Sequence, residues 1–165
     1  MINKLKEHIA AVPNFPIEGI TFRDMSPLLA SPHWKDVIRE LSRLVEPPTY
    51  WVGIEARGFL FASALAAIQG SGIIMCRKVG KLPPPTINYK YQTEYSTDEL
   101  TIKEGSGKVV IVDDVLATGG TIQAANHLCN LAGYEVMDNL VLIDLLRIPR
   151  ISGFDVDVKS LIQYE

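Results

Sequence analysis

One segment of the chain, Val109–Thr121, combines residue types that can bind a phosphorylated sugar. It begins as an apolar strand and ends in a Thr-Gly-Gly-Thr turn at residues 118–121, which leads into a helical pattern. The N-terminus of a helix presents free backbone N–H groups and a positive dipole end to an anion. Because Gly119 and Gly120 have no side chains, the backbone can approach a phosphate closely, and the turn therefore predicts a phosphate site.

Two acids, Asp113 and Asp114, precede this turn and make the prediction more specific. Their carboxylates would repel a phosphate, but they accept hydrogen bonds well from the neighbouring hydroxyl groups of a sugar. Ribose is therefore the expected partner, and the alternative is a pair of capping acids before a glycine turn. The spacing differs from that of a Walker loop and of a Gly-x-Gly-x-x-Gly dinucleotide turn. The predicted phosphoribosyl-binding residues are Asp113, Asp114, Ala117, Thr118, Gly119, Gly120 and Thr121.

Cations at the ends of two other apolar runs suggest a second anion. Arg57 follows the first run, and Arg77, Lys78 and Lys81 follow the next one. A planar guanidinium suits a phosphate or diphosphate group, and clustered cations attract anions. The alternative for each residue is an ordinary solvated surface cation. We predict that Arg57, Lys78 and Lys81 bind an anion.

Alternating strands and helices are expected to position these segments. The strands are predicted at Tyr50–Ile54, Gly72–Arg77, Lys108–Val112 and Asn139–Leu146, and the helices at Phe59–Ile68 and Thr121–Ala132. Continuous apolar strands separated by helices indicate a parallel sheet that is covered on both faces. Ligands bind at the carboxyl ends of such strands, where the motifs lie. The predicted class is α/β, a doubly wound, mostly parallel sheet with flanking helices.

Two regions depart from this alternation. Apolar residues spaced from Ile2 to Val12 predict an amphipathic helix, and a second helix is predicted between Ser31-Pro32 and Pro47-Pro48. Between Val79 and Gly107, a proline-rich loop precedes two predicted hairpin strands, Thr86–Tyr91 and Glu99–Lys103. A long insertion of this kind between core strands often has a functional role. No repeat or linker divides the chain, so one domain over residues 1–165 is expected.

Composition excludes several other classes of protein. The net charge of -3 argues against a nucleic-acid binder, which would show a strongly basic face. The two cysteines, Cys76 and Cys129, lack metal-site spacing and are expected to be buried thiols in a reducing compartment, with a disulfide as the alternative. The first residues lack the apolar stretch of a signal peptide, and no apolar run is long enough to span a bilayer. We therefore expect a cytoplasmic protein without nucleic-acid or membrane partners.

Five motifs together resemble the type I phosphoribosyltransferases, and in particular their adenine-using branch. Besides the strand, paired acids and Thr-Gly-Gly-Thr turn, the family shares an Ile-Glu-Ala-Arg-Gly-Phe-Leu-Phe string and an Arg-Lys-x-Gly-Lys-Leu-Pro stretch. A Glu-Tyr pair in the inserted hairpin and a Phe-Pro … Gly-x-x-Phe-Arg-Asp stretch complete the match. These motifs lie at residues 109–121, 54–61, 77–83, 93–100 and 15–24.

This resemblance implies transfer of a phosphoribosyl group from phosphoribosyl diphosphate to adenine, giving AMP and diphosphate. It also implies Mg²⁺ carried mainly by the diphosphate, and a homodimer. The fold would add an N-terminal base-binding hood over about residues 1–30 and a β-hairpin lid over about residues 79–107.

Residue roles also follow from the resemblance. Arg57, Lys78 and Lys81 would bind the diphosphate. Glu94 would manage a proton on the purine ring, and Tyr95 would close over the reacting centre. Phe22 and Arg23 would recognise adenine, with Leu145 as a further apolar wall. No residue is assigned to a metal held by the protein itself.

Two alternatives stay open. One is another purine or pyrimidine transferase on the same fold, although 6-oxopurine enzymes usually show Glu-Asp where this chain has Asp113-Asp114. The other is a non-catalytic regulator that senses phosphoribosyl diphosphate. Retention of Arg57, Lys78 and Glu94, without a spare nucleic-acid-binding domain, favours the enzyme.

Overall fold

The computed structural model describes residues 1–92 and 96–165 and divides the chain into two compact units, residues 1–40 and 41–165. The first unit contains helix α1 (Ile2–Lys6), strands β1 (Ala10–Pro13) and β2 (Thr21–Asp24), helix α2 (Ser26–Leu29) and the start of helix α3 (Trp34–Ser42). Strands β1 and β2 pair antiparallel.

The helix predicted from Ile2 to Val12 is therefore wrong beyond Lys6. Its apolar spacing continues into β1, where Val12 pairs with Phe22 of β2 rather than with a preceding helical turn. The chain reverses after Pro13, where Asn14 adopts a φ of 56° and its Oδ1 accepts a 2.9 Å hydrogen bond from the Gly19 N–H. An Asn side chain that accepts a hydrogen bond from a nearby backbone N–H group favours a turn over a helix.

The second unit is built on a seven-stranded sheet. Its elements are β3 (Tyr50–Ile54), α4 (Gly58–Gln69), β4 (Gly72–Lys78), β5 (Ile87–Gln92), β6 (Thr97–Ile102), β7 (Gly107–Leu116), α5 (Gly120–Leu131), β8 (Tyr134–Leu145) and β9 (Lys159–Tyr164). The strand order is β5-β6-β4-β3-β7-β8-β9. The five strands from β4 to β9 in this order are parallel, whereas β6 pairs antiparallel with both β4 and β5. The mostly parallel α/β sheet is confirmed.

Helices α4 and α5 cover opposite faces of this sheet. Val52, Ile54 and Ile111 join the buried cluster that contains the apolar residues of α5. Successive residues of a strand point to opposite faces, so Gly53 faces the other way. A Cβ on Gly53 would lie 2.9 Å from the Cβ of Ala62, which places α4 on that second face. The continuous apolar runs are explained by burial on both sides.

Strand β7 is longer than predicted and includes the two acids. It runs to Leu116 because the backbone continues to pair with β8, with Asp113 opposite Val141 and Leu116 opposite Asp144. Strand β8 begins at Tyr134, earlier than predicted. The terminal strand β9, which was not predicted, pairs in parallel with β8.

Close backbone approach joins α4 to β7. A Cβ on Gly58, the first residue of α4, would lie 2.7 Å from the carbonyl oxygen of Val112. This is too short for a real Cβ contact, so only glycine fits at this position without a shift of the backbone. The start of α4 is thereby fixed directly beside the residue that precedes Asp113.

The predicted burial of the two cysteines as free thiols is confirmed. Cys76 and Cys129 are buried free thiols in the core. Burial raises the pKa of Cys129 to about 12 and raises that of Cys76 further, so both stay protonated. Among the helices of the described residues, none is long and apolar enough to cross a membrane.

Candidate functional site

The motif residues of the second unit collect at one edge of its sheet. Strands β3, β4, β7 and β8 are parallel, so the segments that follow them emerge at the same edge. These segments carry Arg57, Lys78 and Lys81, the turn at residues 117–121, and the chain after Leu145. Ligand sites of parallel α/β sheets lie at this carboxyl edge.

The Thr-Gly-Gly-Thr turn forms the N-terminus of the twelve-residue helix α5. Gly119 is the N-cap residue and adopts a left-handed φ of 87°, which glycine accepts readily. The first N–H groups of a helix have no intrahelical acceptor, and the helix dipole adds positive potential there. The turn can therefore bind an anion through backbone N–H groups, as predicted for a phosphate.

The carbonyl groups of the turn are held by the protein itself. The Gly119 oxygen accepts a 3.0 Å hydrogen bond from the Gln123 N–H within α5, and the Thr118 oxygen accepts one of 2.8 Å from the Ile151 N–H. The Arg150 guanidinium donates to the Ala117 oxygen. These contacts fix the orientation of the peptide groups on which anion binding depends.

The segment Ile148–Val156, here called the strap, supplies most of this support. The Gln123 side chain donates to the Gly153 oxygen at 3.2 Å and accepts from the Asp155 N–H at 3.1 Å. A Cβ on Gly119 would lie only 2.5 Å from the Phe154 ring, so the ring packs against the turn. Arg150 also pairs with the buried carboxylate of Asp144 near the end of β8.

Asp113 and Asp114 are adjacent carboxylates with different surroundings. The Asp114 carboxylate contacts the Arg57 guanidinium, and its side chain is only 6% exposed. The Asp113 Oδ1 accepts a 2.9 Å hydrogen bond from the Asp114 N–H. Burial, followed by the neighbouring Asp114 charge, raises the pKa of Asp113 well above its ordinary value. The structure thus brings Arg57 and the paired acids together, as their predicted roles require.

Glu55 organises the second group of cations. Its Oε1 lies 3.0 Å from Arg77 Nη2 and 3.8 Å from Lys81 Nζ, and its Oε2 accepts a 2.8 Å hydrogen bond from the Lys78 N–H. That N–H contact and the cations outweigh burial and hold the pKa of Glu55 below its ordinary value. Glu55 therefore stays ionised and holds the loop after β4 beside the loop after β3. The Lys78 and Lys81 side chains stay exposed at this edge.

A groove of about 1000 Å³ opens at the phosphate turn. Thr118 and Gly120 line one end, and the outer face of α5, the strap and the residues Tyr89–Gln92 of β5 form its walls. The Tyr91 hydroxyl lies 3.3 Å from Thr121 Oγ1 and joins β5 to the first turn of α5.

The predicted adenine and catalytic residues are distributed over the chain. Phe22 and Arg23 lie on β2 of the first unit, where the Phe22 ring packs edge-on against Phe15 at 5.3 Å. Leu145 ends β8 in the second unit. Glu94 and Tyr95 lie outside the described residues. No group of three or more His, Cys, Asp or Glu side chains within residues 1–92 and 96–165 is placed to hold a metal ion.

Three residues of the site were not predicted from the sequence. Glu55 stands inside a recognised motif, but its role depends on contacts with residues more than twenty positions away. Tyr91 and Arg150 lie in segments without a motif, and their partners Thr121 and Ala117 are about thirty positions distant. Residue spacing carries no signal for such contacts.

Comparison with known proteins gives a consistent result. The model of the phosphoribosyl transferase domain matches residues 30–147. An adenine phosphoribosyltransferase of Bdellovibrio bacteriovorus is 48% identical over 163 residues, covering 97% of this chain and 99% of that protein. The crystal structure of the corresponding enzyme from Thermoanaerobacter pseudethanolicus has a TM-score of 0.88 at 38% identity and covers 99% and 100% of the two chains. The Saccharomyces cerevisiae enzyme, crystallised with adenine and an imino-altritol bisphosphate, has a TM-score of 0.86 at 32% identity and covers 96% and 97%.

Proposed function

Because this chain belongs to the phosphoribosyltransferase family, in its adenine-using branch, we propose that the carboxyl edge of the seven-stranded sheet is its active site. The protein transfers the 5-phosphoribosyl group from phosphoribosyl diphosphate to adenine, giving AMP and diphosphate. The observation that carries the assignment of the site is the direct contact between Arg57 and Asp114 beside the phosphate turn. Cation, paired acids and anion-binding helix thus lie at one edge, as this substrate requires.

The turn at residues 117–121 binds the 5-phosphate in this proposal. The free N–H groups at the start of α5 donate to the phosphate oxygens, and the Thr118 and Thr121 hydroxyls donate further hydrogen bonds. Because Arg150 and Ile151 engage the carbonyl groups of the turn, its N–H groups are oriented before the ligand arrives. Such preorganisation lowers the entropic cost of binding.

Asp113 and Asp114 accept hydrogen bonds from the two ribose hydroxyls. Asp114 also contacts Arg57, so this ion pair lies where the ribose and the diphosphate of the substrate would meet. The ribose hydroxyls take the carboxylate, and the diphosphate takes the guanidinium. Holding phosphate and ribose at two separate points orients C1 for attack by the N9 atom of adenine.

The diphosphate leaves toward Arg57, Lys78 and Lys81. Mg²⁺ carried by the diphosphate would supply positive charge against the departing group, since phosphate oxygens are among its preferred ligands. The side chains of Lys78 and Lys81 are exposed at the same edge, next to the loop that carries Arg57. Glu55 keeps these two loops together without taking part in the bond cleavage.

Recognition and activation of adenine are assigned to Phe22, Arg23, Leu145, Glu94 and Tyr95. Leu145 is half-buried at the end of β8 and offers an apolar surface at the active edge. We propose that Glu94 manages the purine proton and that Tyr95 covers the reacting centre, which excludes water from the ribosyl cation. This part of the proposal derives from the matching motifs.

A homodimer is also proposed, with a second copy covering an apolar surface on β4 and α4. Ile73 and Met75 lie two residues apart on β4, so their side chains share one face, and they are 46% and 42% exposed. Leu60 and Ile68 share one face of α4 and are 47% and 57% exposed. Exposed apolar residues grouped in this way are typical of subunit interfaces.

The buried free cysteines agree with a reducing compartment, and we propose purine salvage in the cytoplasm.

The test is a base-selection assay in which the protein is incubated with phosphoribosyl diphosphate, Mg²⁺ and one nucleobase at a time. Nucleotide formation should be far faster with adenine than with hypoxanthine or guanine. The double variant Asp113→Asn/Asp114→Asn should lose most of this activity, whereas Asp138→Asn, at a surface pair with Lys159, should retain it. Faster reaction with a 6-oxopurine, or full activity of the double variant, would overturn the assignment.

A further inference from the structure

The contact between Tyr91 and Thr121 leads to an inference that rests on the proposed phosphate site. The two hydroxyl oxygens are 3.3 Å apart, and they join strand β5 to the first turn of α5. Both Tyr91 and the turn residues Thr118 and Gly120 line the same groove. The tyrosine hydroxyl therefore lies directly behind a group that the phosphate is expected to contact.

The Tyr91 ring is held in place by the core. It is half-buried and packs against the apolar cluster formed by α5 and the sheet. Burial raises the pKa of the Tyr91 hydroxyl above its ordinary value, so this group keeps its proton at neutral pH. A fixed and protonated hydroxyl is a suitable hydrogen-bond donor.

The number of available protons determines the direction of this hydrogen bond once phosphate is bound. A phosphate dianion only accepts hydrogen bonds, so the Thr121 hydroxyl must use its single proton toward the phosphate. Thr121 Oγ1 then has only lone pairs to offer Tyr91, so the Tyr91 hydroxyl must be the donor in the contact between them. We propose that Tyr91 is a positioning residue of the 5-phosphate subsite, which donates to Thr121 Oγ1 and thereby aligns the Thr121 hydroxyl on the phosphate.

The first experiment compares ligands with and without the phosphate. Tyr91→Phe removes one oxygen and keeps the ring, so the core packing should be preserved. Its affinity for AMP and for ribose 5-phosphate, measured by calorimetry, should fall about five- to tenfold, the scale of one hydrogen bond. Affinity for adenine alone should stay unchanged, because adenine lacks the phosphate.

Tyr89→Phe is the matched control. Tyr89 lies on the same strand, two residues before Tyr91, and its ring packs on His127, six residues further along α5 than Thr121. Removing its hydroxyl should leave AMP affinity at the wild-type level. Equal losses in the two variants would show a general effect of β5 on the site and would contradict the proposal.

A double-mutant cycle with Thr121→Val tests whether Tyr91 acts through Thr121. If it does, Tyr91→Phe should cause no further loss of AMP affinity once the threonine hydroxyl is absent. Additive losses, or wild-type affinity of Tyr91→Phe itself, would refute the inference. Failure of the wild-type protein to bind AMP would instead refute the proposed function, so the two failures are distinguishable.

Discussion

The guanidinium of Arg57 contacts the carboxylate of Asp114, so the residue proposed to bind diphosphate is paired with a residue proposed to bind ribose. The Asp114 side chain is 6% exposed, whereas that of Arg57 is 52% exposed. The acid is therefore fixed within the strand, and the arginine is the partner that can move. In the proposed complex, the ribose hydroxyls would take the place of Arg57 at Asp114, and the diphosphate would take the place of Asp114 at Arg57.

Replacing Arg57 by Met should destabilise the free protein because the buried Asp114 carboxylate loses its cation. We expect a loss of about 1–2 kcal/mol in the free energy of unfolding, less than for a fully buried pair because Arg57 is half exposed to solvent. The KM for phosphoribosyl diphosphate should rise at least about tenfold as a charge-assisted contact disappears. Urea unfolding and steady-state kinetics measure the two effects.

Arg39→Met is the control for this variant, since Arg39 pairs with Asp36 on an exposed helix surface. Its stability and KM should stay near those of the wild type. Adding Asp114→Asn to Arg57→Met should restore stability but not activity. No recovery of stability in that double variant would show that the Arg57 effect is unrelated to the Asp114 charge.

Asp113 should make stability depend on pH. Burial and the Asp114 charge raise the folded-state pKa of Asp113 above the ordinary 3.8. The protonated carboxyl therefore contributes to folding stability fully below about pH 4, and this contribution is lost as the pH rises through the folded-state pKa. Asp113→Asn removes this charge and can still accept the hydrogen bond from the Asp114 N–H. The variant should be more stable than the wild type at about pH 7.5, with a difference that shrinks toward about pH 4.

Urea unfolding over this pH range measures the difference, and the same variant should bind ribose 5-phosphate more weakly. A substitution that stabilises the protein but weakens ligand binding is common at positions where a charge serves function. If the stability difference were independent of pH, the buried charge of Asp113 would not be its cause.

Gly119→Ala should destabilise the phosphate turn for two separate reasons. The φ of 87° is unfavourable for any residue with a Cβ, and that Cβ would lie 2.5 Å from the Phe154 ring. The combined cost should be about 2–4 kcal/mol, measured by urea unfolding. Gly80→Ala is the matched control, because its φ is 83° with nothing within 4 Å, and it isolates the backbone cost. Equal losses at the two positions would mean that Phe154 contributes nothing.

Glu94→Ala should separate binding from chemistry. If Glu94 acts on the purine proton, kcat/KM for adenine should fall by about a hundredfold or more, the usual scale for acid–base assistance. AMP affinity should fall much less, because the phosphate turn and the paired acids bind AMP without it. Glu104→Ala, at an exposed acid just after β6, should leave both quantities unchanged. Near-wild-type turnover of Glu94→Ala would remove it from the reaction.

The central strands could be predicted because burial on both faces produces continuous apolar runs, as at Tyr50–Ile54, where the predicted and observed bounds coincide. Strands β1 and β2 escaped prediction because each has only four residues and none of these residues is fully buried. Their pairing depends on the chain reversal that Asn14 stabilises, and the spacing of apolar residues does not indicate such a turn. Asp113 and Asp114 were predicted to follow their strand because charged residues usually end an apolar run. In the structure, pairing with β8 extends β7 beyond both acids.

For the site, the sequence identified residues that are contiguous within motifs and missed residues that join motifs. The turn at residues 118–121 is one uninterrupted string, so its chemistry can be read directly. Glu55, Tyr91 and Arg150 act through contacts across twenty to more than thirty positions. Such contacts arise from the order of strands in the sheet, and this order is not encoded in local spacing.

The close approach of Gly58 to the Val112 carbonyl has a consequence for enzyme redesign. A library that varies this glycine should yield almost no active members, since even a methyl group would push the Arg57 loop away from the paired acids. The block formed by residues 53–58 and 109–121 is then best left untouched by an engineer who seeks a different nucleobase. Diversity is better placed at the residues proposed to recognise adenine, Phe22, Arg23 and Leu145, where new side chains are expected to alter the accepted base and leave the sugar phosphate in its productive position.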